Sequence, residues 1–484
     1  MCNYGVIIYS ILISLIVLLA QTEEIREIAI IGGGLSGIIS TIVAAENGKS
    51  VVLCEKESHL GGNSAKATSG INAANTVQQD FEGIDDDFTS FENDTKKSGV
   101  KLNEALVKIL TYNSAEALKF LEDRINYSFD DVVKLGGHSQ RRTHRFKSDE
   151  NSGKPKPVGF TIMTLLINSV NENIKTGKYN IKIVKNCRLS RVKKIDDYYI
   201  LYADDMTLRA NSIIFTSGGF GNDHDKDSLI EKYAQKLNYL PTTNGKWTTG
   251  DGMKILESMG ADLIDMDKIQ IHPTGFLQME QAESNIAFLA PESLRGCGAK
   301  LILKNGKRFV DELEKRNVVT AAIFEKGFSI KENNPRKGAY IVISSEDAEC
   351  FGKSYIEFYV KLKRMMGPYN SQEIENIVAN GEKFEFEYSK KIDQNTKYYL
   401  GLISPVIHYC MGGVKIDENA KVIDRDSTSN VLSGIFAAGE VTGGIHGENR
   451  LGGNSLLDCV VFGKIAATSA VNYVDKFKKN HMEL

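Results

Sequence analysis

Three glycines, Gly32, Gly34 and Gly37, follow the apolar run Ile28-Ala29-Ile30-Ile31 at the spacing G-x-G-x-x-G. That spacing holds a pyrophosphate. The first glycine permits a tight turn, the second lets backbone approach the phosphates, and the third lets a helix pack close on the preceding strand. Leu35 and Ser36 open that helix, whose free N–H groups and dipole favour negative charge. Glu55 stands at the end of the next strand, where a carboxylate accepts hydrogen bonds from a ribose diol. Lys56 follows, then Gly62, Asn63, Ser64, Ser69 and Gly70. Small polar residues of this kind suit a loop lying along an extended dinucleotide, which favours FAD over NAD. Ser217 and Gly218 form a second strand-to-glycine junction, and Asp251 opens another helix beside Thr249 and Gly250. Asn454, Ser455 and Leu456 start the last helix, and its N-terminus at a flavin would stabilise negative charge on the reduced ring.

The elements that must position these residues are legible as periodicity. A helix is predicted from Leu35 to about Asn47 and a strand over Ser50 to Leu53, completing a βαβ start. Phe81 to Gly99 reads as an acidic loop with a short helix, and Lys101 to Phe120 as one amphipathic helix packed on the sheet. The basic stretch Gly136 to Arg145 reads as a solvated charge run, with an anion site as the alternative. Strands are predicted at Ile181 to Lys185, Arg188 to Lys194, Tyr198 to Tyr202 and Ser212 to Thr216. From about Asp267 to Cys410 the texture changes, and Asn305-Gly306 between apolar runs signals a hairpin. Strand-to-glycine patterns resume only at Gly434, followed by a helix from Leu456 to about Val474. The fold class is therefore α/β, a Rossmann-like FAD-binding domain with an inserted α+β domain. The expected divisions are 1–24 as a signal or signal-anchor segment, 25–266 and 411–484 as the two parts of the FAD-binding domain, and 267–410 as the insert.

The chain has 484 residues, enough for two or three domains, and a net charge of −3 that offers no field for nucleic acid. Its 7 cysteines are odd in number and never spaced C-x-x-C, so no disulfide framework, metal site, iron–sulfur run or haem attachment is expected. Val6 to Ala20 is an apolar run of signal-peptide length with no Lys or Arg before it. A secretory-pathway signal is expected there, with an uncleaved membrane anchor as the second reading.

Eight ordered segments carry a family resemblance: GGGLSG at Gly32 to Gly37, GGNS at Gly61 to Ser64, HPTG at His272 to Gly275, LRG at Leu294 to Gly296, KRFVDE at Lys307 to Glu312, MGG at Met411 to Gly413, AAGE at Ala437 to Glu440, and HGENRLGGNS at His446 to Ser455. Together they resemble the fumarate reductase and succinate dehydrogenase flavoprotein superfamily, and within it the soluble single-chain fumarate reductases. The resemblance spans nearly the whole chain after the N-terminal segment. It implies that the insert is a mobile capping domain with substrate held between it and the flavin. It implies that Gly413 and Glu440 join the FAD-binding set. It further implies that His272 and His408 hydrogen-bond substrate carboxylates and that Arg450 clamps one of them. Arg316 would deliver a proton to the substrate through a relay formed by Glu292 and Arg295. Fumarate and succinate are the implied substrate pair, and a monomer in the endoplasmic reticulum or, alternatively, the mitochondrion is the implied setting. The electron donor is not visible in the residues; reduced free flavin or a redox protein is expected.

Departures from the family pattern bear on these roles. Pro291 precedes Glu292 where a small or hydroxyl residue is common, and Cys410 replaces a usual threonine. Ala65 occupies the place of the histidine that attaches flavin covalently in some relatives, so FAD is expected to bind non-covalently. Two other readings stay open: a sister flavoenzyme acting on another unsaturated carboxylate or on L-aspartate, and a non-catalytic flavin-binding protein.

Overall fold

The run Arg26–Ile31 is the central strand of an eight-stranded sheet, flanked in parallel by Val51–Cys54 on one side and Thr207–Phe215 on the other. The computed structural model describes residues 24–147, 156–332, 334–379, 383–388, 396–426 and 431–482; the apolar run Val6 to Ala20 lies outside them. Ile181–Val184 extends the sheet beyond Val51–Cys54, and Val431–Ala437 followed by Lys421–Ile423 extends it beyond Thr207–Phe215. The register places Ile31 beside both Cys54 and Phe215. The strand ends that lead into Gly32, Glu55 and Thr216 therefore meet at one edge. Ile28, Ala29 and Ile30 are fully buried, as strands covered on both faces require.

The helix Leu35–Glu46 covers one face and packs against the C-terminal helix Asn454–Met482. That last helix is long and apolar enough to cross a membrane, but it is built into the core, with Leu457, Val460, Phe462 and Val474 buried. It begins earlier and ends later than the periodicity indicates.

A second sheet is antiparallel throughout, in the order Phe288–Leu289, Ile269–Leu277, Tyr398–Cys410, Lys337–Ser344, Lys300–Ile302. Its 13-residue central strand Tyr398–Cys410 is buried along almost its whole length. The Asn305-Gly306 turn forms, with a bridge from Ile302 to Arg308, but no second strand follows it. Lys300–Ile302 pairs instead with Lys337–Ser344, because Leu301 and Ile302 are fully buried there.

Four further expectations are corrected. The stretch ending at Gly99 contains a 12-residue helix, Phe88–Gly99, in which Asp87 caps the Ser90 N–H and Phe91 and Thr95 are buried. Lys101 to Phe120 yields two helices, Glu104–Tyr112 and Ser114–Ile125, broken at Asn113 and packed on the C-terminal helix. The basic stretch is only partly solvated: Arg141 is exposed, but Arg142 is fully buried, and its guanidinium binds Asp86 through two bonds of 3.0 and 2.8 Å and Asp94 at 2.6 Å. Its charge is matched from a remote loop, at Asp86, and the helix that follows it, at Asp94, which local composition does not show. Finally, four of the cysteines form disulfides, Cys54–Cys187 and Cys297–Cys350, separated by 133 and 53 residues. Cα separations of 5.7 and 5.6 Å suit a disulfide, a geometry set by the tertiary fold and not by cysteine spacing.

Candidate functional site

The strand ends at Gly32, Glu55 and Thr216 open into a cavity of about 1070 Å³ that runs between the two sheets. Gly32 has a φ of +110°, and a Cβ added to it would lie 2.5 Å from the Thr216 carbonyl oxygen. A Cβ on Gly37 would lie 1.9 Å from the Gly32 carbonyl oxygen, so helix and turn meet there without space for a side chain. Gly34 caps the helix with no side chain of its own, while the Leu35 N–H donates to Ser64 Oγ at 3.1 Å. Glu55 accepts from the N–H groups of Gly33 at 2.7 Å and Glu57 at 2.9 Å, which fixes its carboxylate at the cavity edge. Lys56 donates to Asp251 and to Thr249, both at 2.7 Å.

Six cavity residues carry buried polar atoms without a partner, among them Ser36 Oγ, Thr68 Oγ1, Ser217 Oγ and Trp247 Nε1. Such groups are costly to leave unsatisfied, and a polar, phosphate-bearing cofactor in the cavity would satisfy them. The wall thus fits a dinucleotide.

Most of the cofactor set expected from sequence lies on this wall: Gly32, Gly34, Leu35, Ser36, Glu55, Lys56, Gly62, Asn63, Ser64, Ser69, Gly70, Ser217, Gly218, Asp251, Glu440, Ser455 and Leu456. Gly37, Gly413 and Asn454 stand behind it. Gly413 pairs with Ile264, and Asn454 accepts from Asn72 Nδ2 at 2.7 Å. Lys66, Asn244 and Trp247 were not anticipated. Trp247 is the chain's single tryptophan, set in a loop of glycines and threonines, which is a signal that composition offered.

At the other end of the cavity, residues from five separate segments converge. His272 and His408 lie on neighbouring antiparallel strands; His272 is paired with Val406, two residues from His408, so both rings share one face. Their centroids are 5.2 Å apart. His408 Nδ1 meets Thr243 Oγ1 at 2.7 Å, and His272 Nδ1 lies 3.2 Å from the Thr274 N–H. Burial, reinforced by the Arg316 charge, holds both imidazoles well below their usual pKa. Each is neutral and offers a single N–H.

Arg316 opens the helix Arg316–Lys326, where a cation opposes the helix dipole. Glu292 offsets this, accepting from Arg316 Nε at 2.8 Å and lying 2.7 Å from its Nη2. Burial pushes the Glu292 carboxyl up, but Arg316 and Arg295 more than reverse that and hold it below the ordinary value. Gln270 joins two of the three arginines that face the cavity: its Oε1 accepts from Arg316 Nη1 at 3.0 Å and Arg450 Nη2 at 3.2 Å. Gln270 precedes His272 by two residues on one strand, and that alternation was the available signal for it. Arg450 lies 4.3 Å over the Tyr409 ring, and burial pushes its pKa down to about 10.

Arg316, His408 and Arg450 reach the cavity wall, whereas His272, Glu292 and Arg295 lie behind it. Arg295 donates to the Glu312 carbonyl through Nη1 and leaves Nε and Nη2 without partners. It acts on Glu292 through its charge, with no hydrogen bond between them among those present.

Burial also pushes Glu440 up to about 7, against a 2.9 Å bond from the Cys410 N–H that favours its charged form. Between the unfolded value of 4.5 and about 7 the folded chain holds the extra proton. The resulting stability is complete below that window and is lost as pH rises through it. In flavin-free protein, Glu440→Gln is expected to remove a slope worth up to about 3 kcal/mol. Urea midpoints at low and neutral pH check this; parallel pH dependences in the two proteins would contradict it.

The chain matches the FAD binding domain family over residues 27–456. It is 37% identical to fumarate reductase 1 of Saccharomyces cerevisiae over 93% of this chain and 99% of that protein. It is 35% identical to the fumarate reductase of Schizosaccharomyces pombe, covering 93% and 90% of the two chains. Its structure is similar to the open conformation of a flavocytochrome c3 fumarate reductase, with a TM-score of 0.74 at 28% identity, covering 94% of this chain and 80% of that one. The glycine turn, the carboxylate at Glu55 and the two-sheet architecture thus agree with these likenesses: the chain belongs to the FAD-binding flavoprotein family that contains the yeast fumarate reductases.

Proposed function

We propose that this flavoenzyme reduces fumarate to succinate. Bound, reduced FAD supplies a hydride, and the residues of the chain do the rest. Arg450 and His408 hold the carboxylates of a flat dianion, and His272, behind the wall, steadies that end of the site. Arg316 donates a proton to the alkene carbon that gains electron density, with Glu292 returning one to it and Arg295 acting on Glu292 through its charge. A guanidinium is a poor acid, so transfer from Arg316 is concerted with transfer to it from Glu292. The observation that carries this reading is Arg316 held between Glu292 and Gln270 while facing the same cavity as Arg450 and His408.

FAD binds non-covalently, with Ala65 where an attachment histidine would stand. The segment 267–410 serves as the capping domain, and 25–266 with 411–484 as the cofactor domain. Two disulfides support an oxidising compartment, in line with a secretory-pathway location. Reduced free flavin or a redox protein supplies electrons to what is a monomer.

The test is anaerobic. Reduced holoprotein mixed with fumarate is expected to regain the oxidised flavin spectrum and to form one succinate per flavin. No reoxidation by fumarate, with rapid reoxidation by another unsaturated acid, would reassign the substrate. Flavin reduction by L-aspartate would point to amino-acid oxidation.

A further inference from the structure

The turn Glu292–Gly296 carries two of the buried charges at the site, Glu292 and Arg295, on only five residues. A single helical turn does not hold its own geometry in water, so its placement is imposed by its ends. At its start, the Ala290 N–H donates to the Thr274 carbonyl at 3.0 Å, tying the entry to the second sheet. At its end, Cys297 closes the turn with an N–H bond of 2.9 Å to Ser293 O, and its sulfur is joined to Cys350 in the helix Ser345–Phe351. Gly298 follows with a φ of +106°, and a Cβ there would lie 2.8 Å from Asp347 Cγ of that same helix. The exit of the turn is thus pressed against the helix to which the disulfide bonds it.

The two disulfides differ in access. Cys54 and Cys187 are buried, at 1% and 3% exposure, on the wall of the cofactor cavity. Cys350 is exposed. A dithiol in solution therefore reaches Cys297–Cys350 first.

Resting on the functional reading above, we propose that Cys297 and Cys350 are positioning residues: their disulfide holds the Glu292–Arg295 turn in register with Arg316, so fumarate turnover is fast with this bond intact and slow once it is reduced. The crosslink touches neither substrate nor flavin. It acts by keeping Glu292 within hydrogen-bond reach of Arg316, where a displacement of about 1 Å costs up to about 100-fold in rate. A disulfide that only stabilises the fold acts mainly on the unfolded chain and leaves kcat unchanged in folded protein.

The experiment uses FAD-loaded enzyme treated anaerobically with dithiothreitol. The S–S bond breaks, two thiols form, and the reagent is oxidised to its cyclic disulfide. Differential alkylation with peptide mapping then shows Cys297 and Cys350 freed while Cys54–Cys187 stays intact. The expected result is a kcat lower by about tenfold, with KM within about twofold, unchanged flavin content, an altered pH profile of kcat, and recovery on reoxidation. The double variant C297S/C350S should match the reduced enzyme and ignore dithiothreitol. Equal kcat and pH profile in the oxidised and reduced forms would overturn the proposal, as would thiols at both positions in untreated protein. If neither form reduces fumarate, the functional reading fails on its own. Hydrogen exchange across Glu292–Gly298 then still tests the crosslink, and unchanged protection on reduction overturns it.

Discussion

Arg316→Ala is expected to lower fumarate turnover by about 10³-fold, in the range that loss of a positioned general acid produces, while leaving FAD bound. Arg316 lies at the far end of the cavity from the glycine turn and Glu55, so its removal does not touch the wall that fits the dinucleotide. Two things are lost with it. The donor facing the substrate disappears, and Glu292 keeps only the Gly136 N–H, at 3.0 Å, and the charge of Arg295. With Arg316 gone, burial is no longer outweighed and the Glu292 carboxyl rises above its present depressed value. Arg316→Lys separates the two effects. An ammonium keeps the charge near Glu292 but lacks the fork that reaches Glu292 and Gln270 together, so kcat is expected to remain low while the flavin spectrum is native. The measurement is steady-state kcat alongside flavin content. A kcat for Arg316→Ala within about tenfold of the parent would remove Arg316 from the role of donor.

Arg142→Met is expected to be the most destabilising single change, at about 3–5 kcal/mol, the cost of removing one partner from a buried charge network. Arg142 has no exposed surface, binds Asp86 through two bonds and Asp94 through one, and lies 5.0 Å over the Phe91 ring. Methionine fills part of the space but leaves two carboxylates facing each other in a closed interior. The consequence reaches the site, because the same loop supplies the Gly136 N–H to Glu292 and the His138 ring to the Gly452 carbonyl at 3.0 Å. Urea unfolding of the holoprotein checks the loss. The triple variant R142M/D86N/D94N should regain most of it, since no buried charge is then left alone. A loss below about 1 kcal/mol for Arg142→Met would mean that water solvates the pair.

The cofactor end of the cavity was largely legible because its residues lie close together along the chain. Gly32 to Gly37 and Glu55 belong to one βαβ unit, and the spacing that makes the turn is written in adjacent residues. The parallel strands were legible for a related reason: burial on both faces demands continuous apolar runs such as Ile28 to Ile31 and Ile213 to Phe215.

The rest failed where the determining partner is far away in sequence. Asn305-Gly306 does turn, but its first strand is claimed by Lys337–Ser344. The basic run Arg141 to Arg145 looked solvated because Asp86 and Asp94 come from segments some 50 residues earlier. Gln270 sits one alternation away from His272, yet only a guanidinium arriving from each of two other elements makes its amide oxygen matter.

By itself, the sequence determined the glycine turn, the order of the parallel strands' apolar runs, and the ordered segments that mark the FAD-binding family. These are local properties, set by steric limits on a few neighbouring residues and by periodic burial. Only the tertiary structure decided which cysteines pair, which arginines are buried against which carboxylates, and that Arg316, Gln270 and Arg450 meet. Such pairings depend on two distant backbones approaching within a few ångströms, and that distance is set by the packing of two sheets and the helices around them.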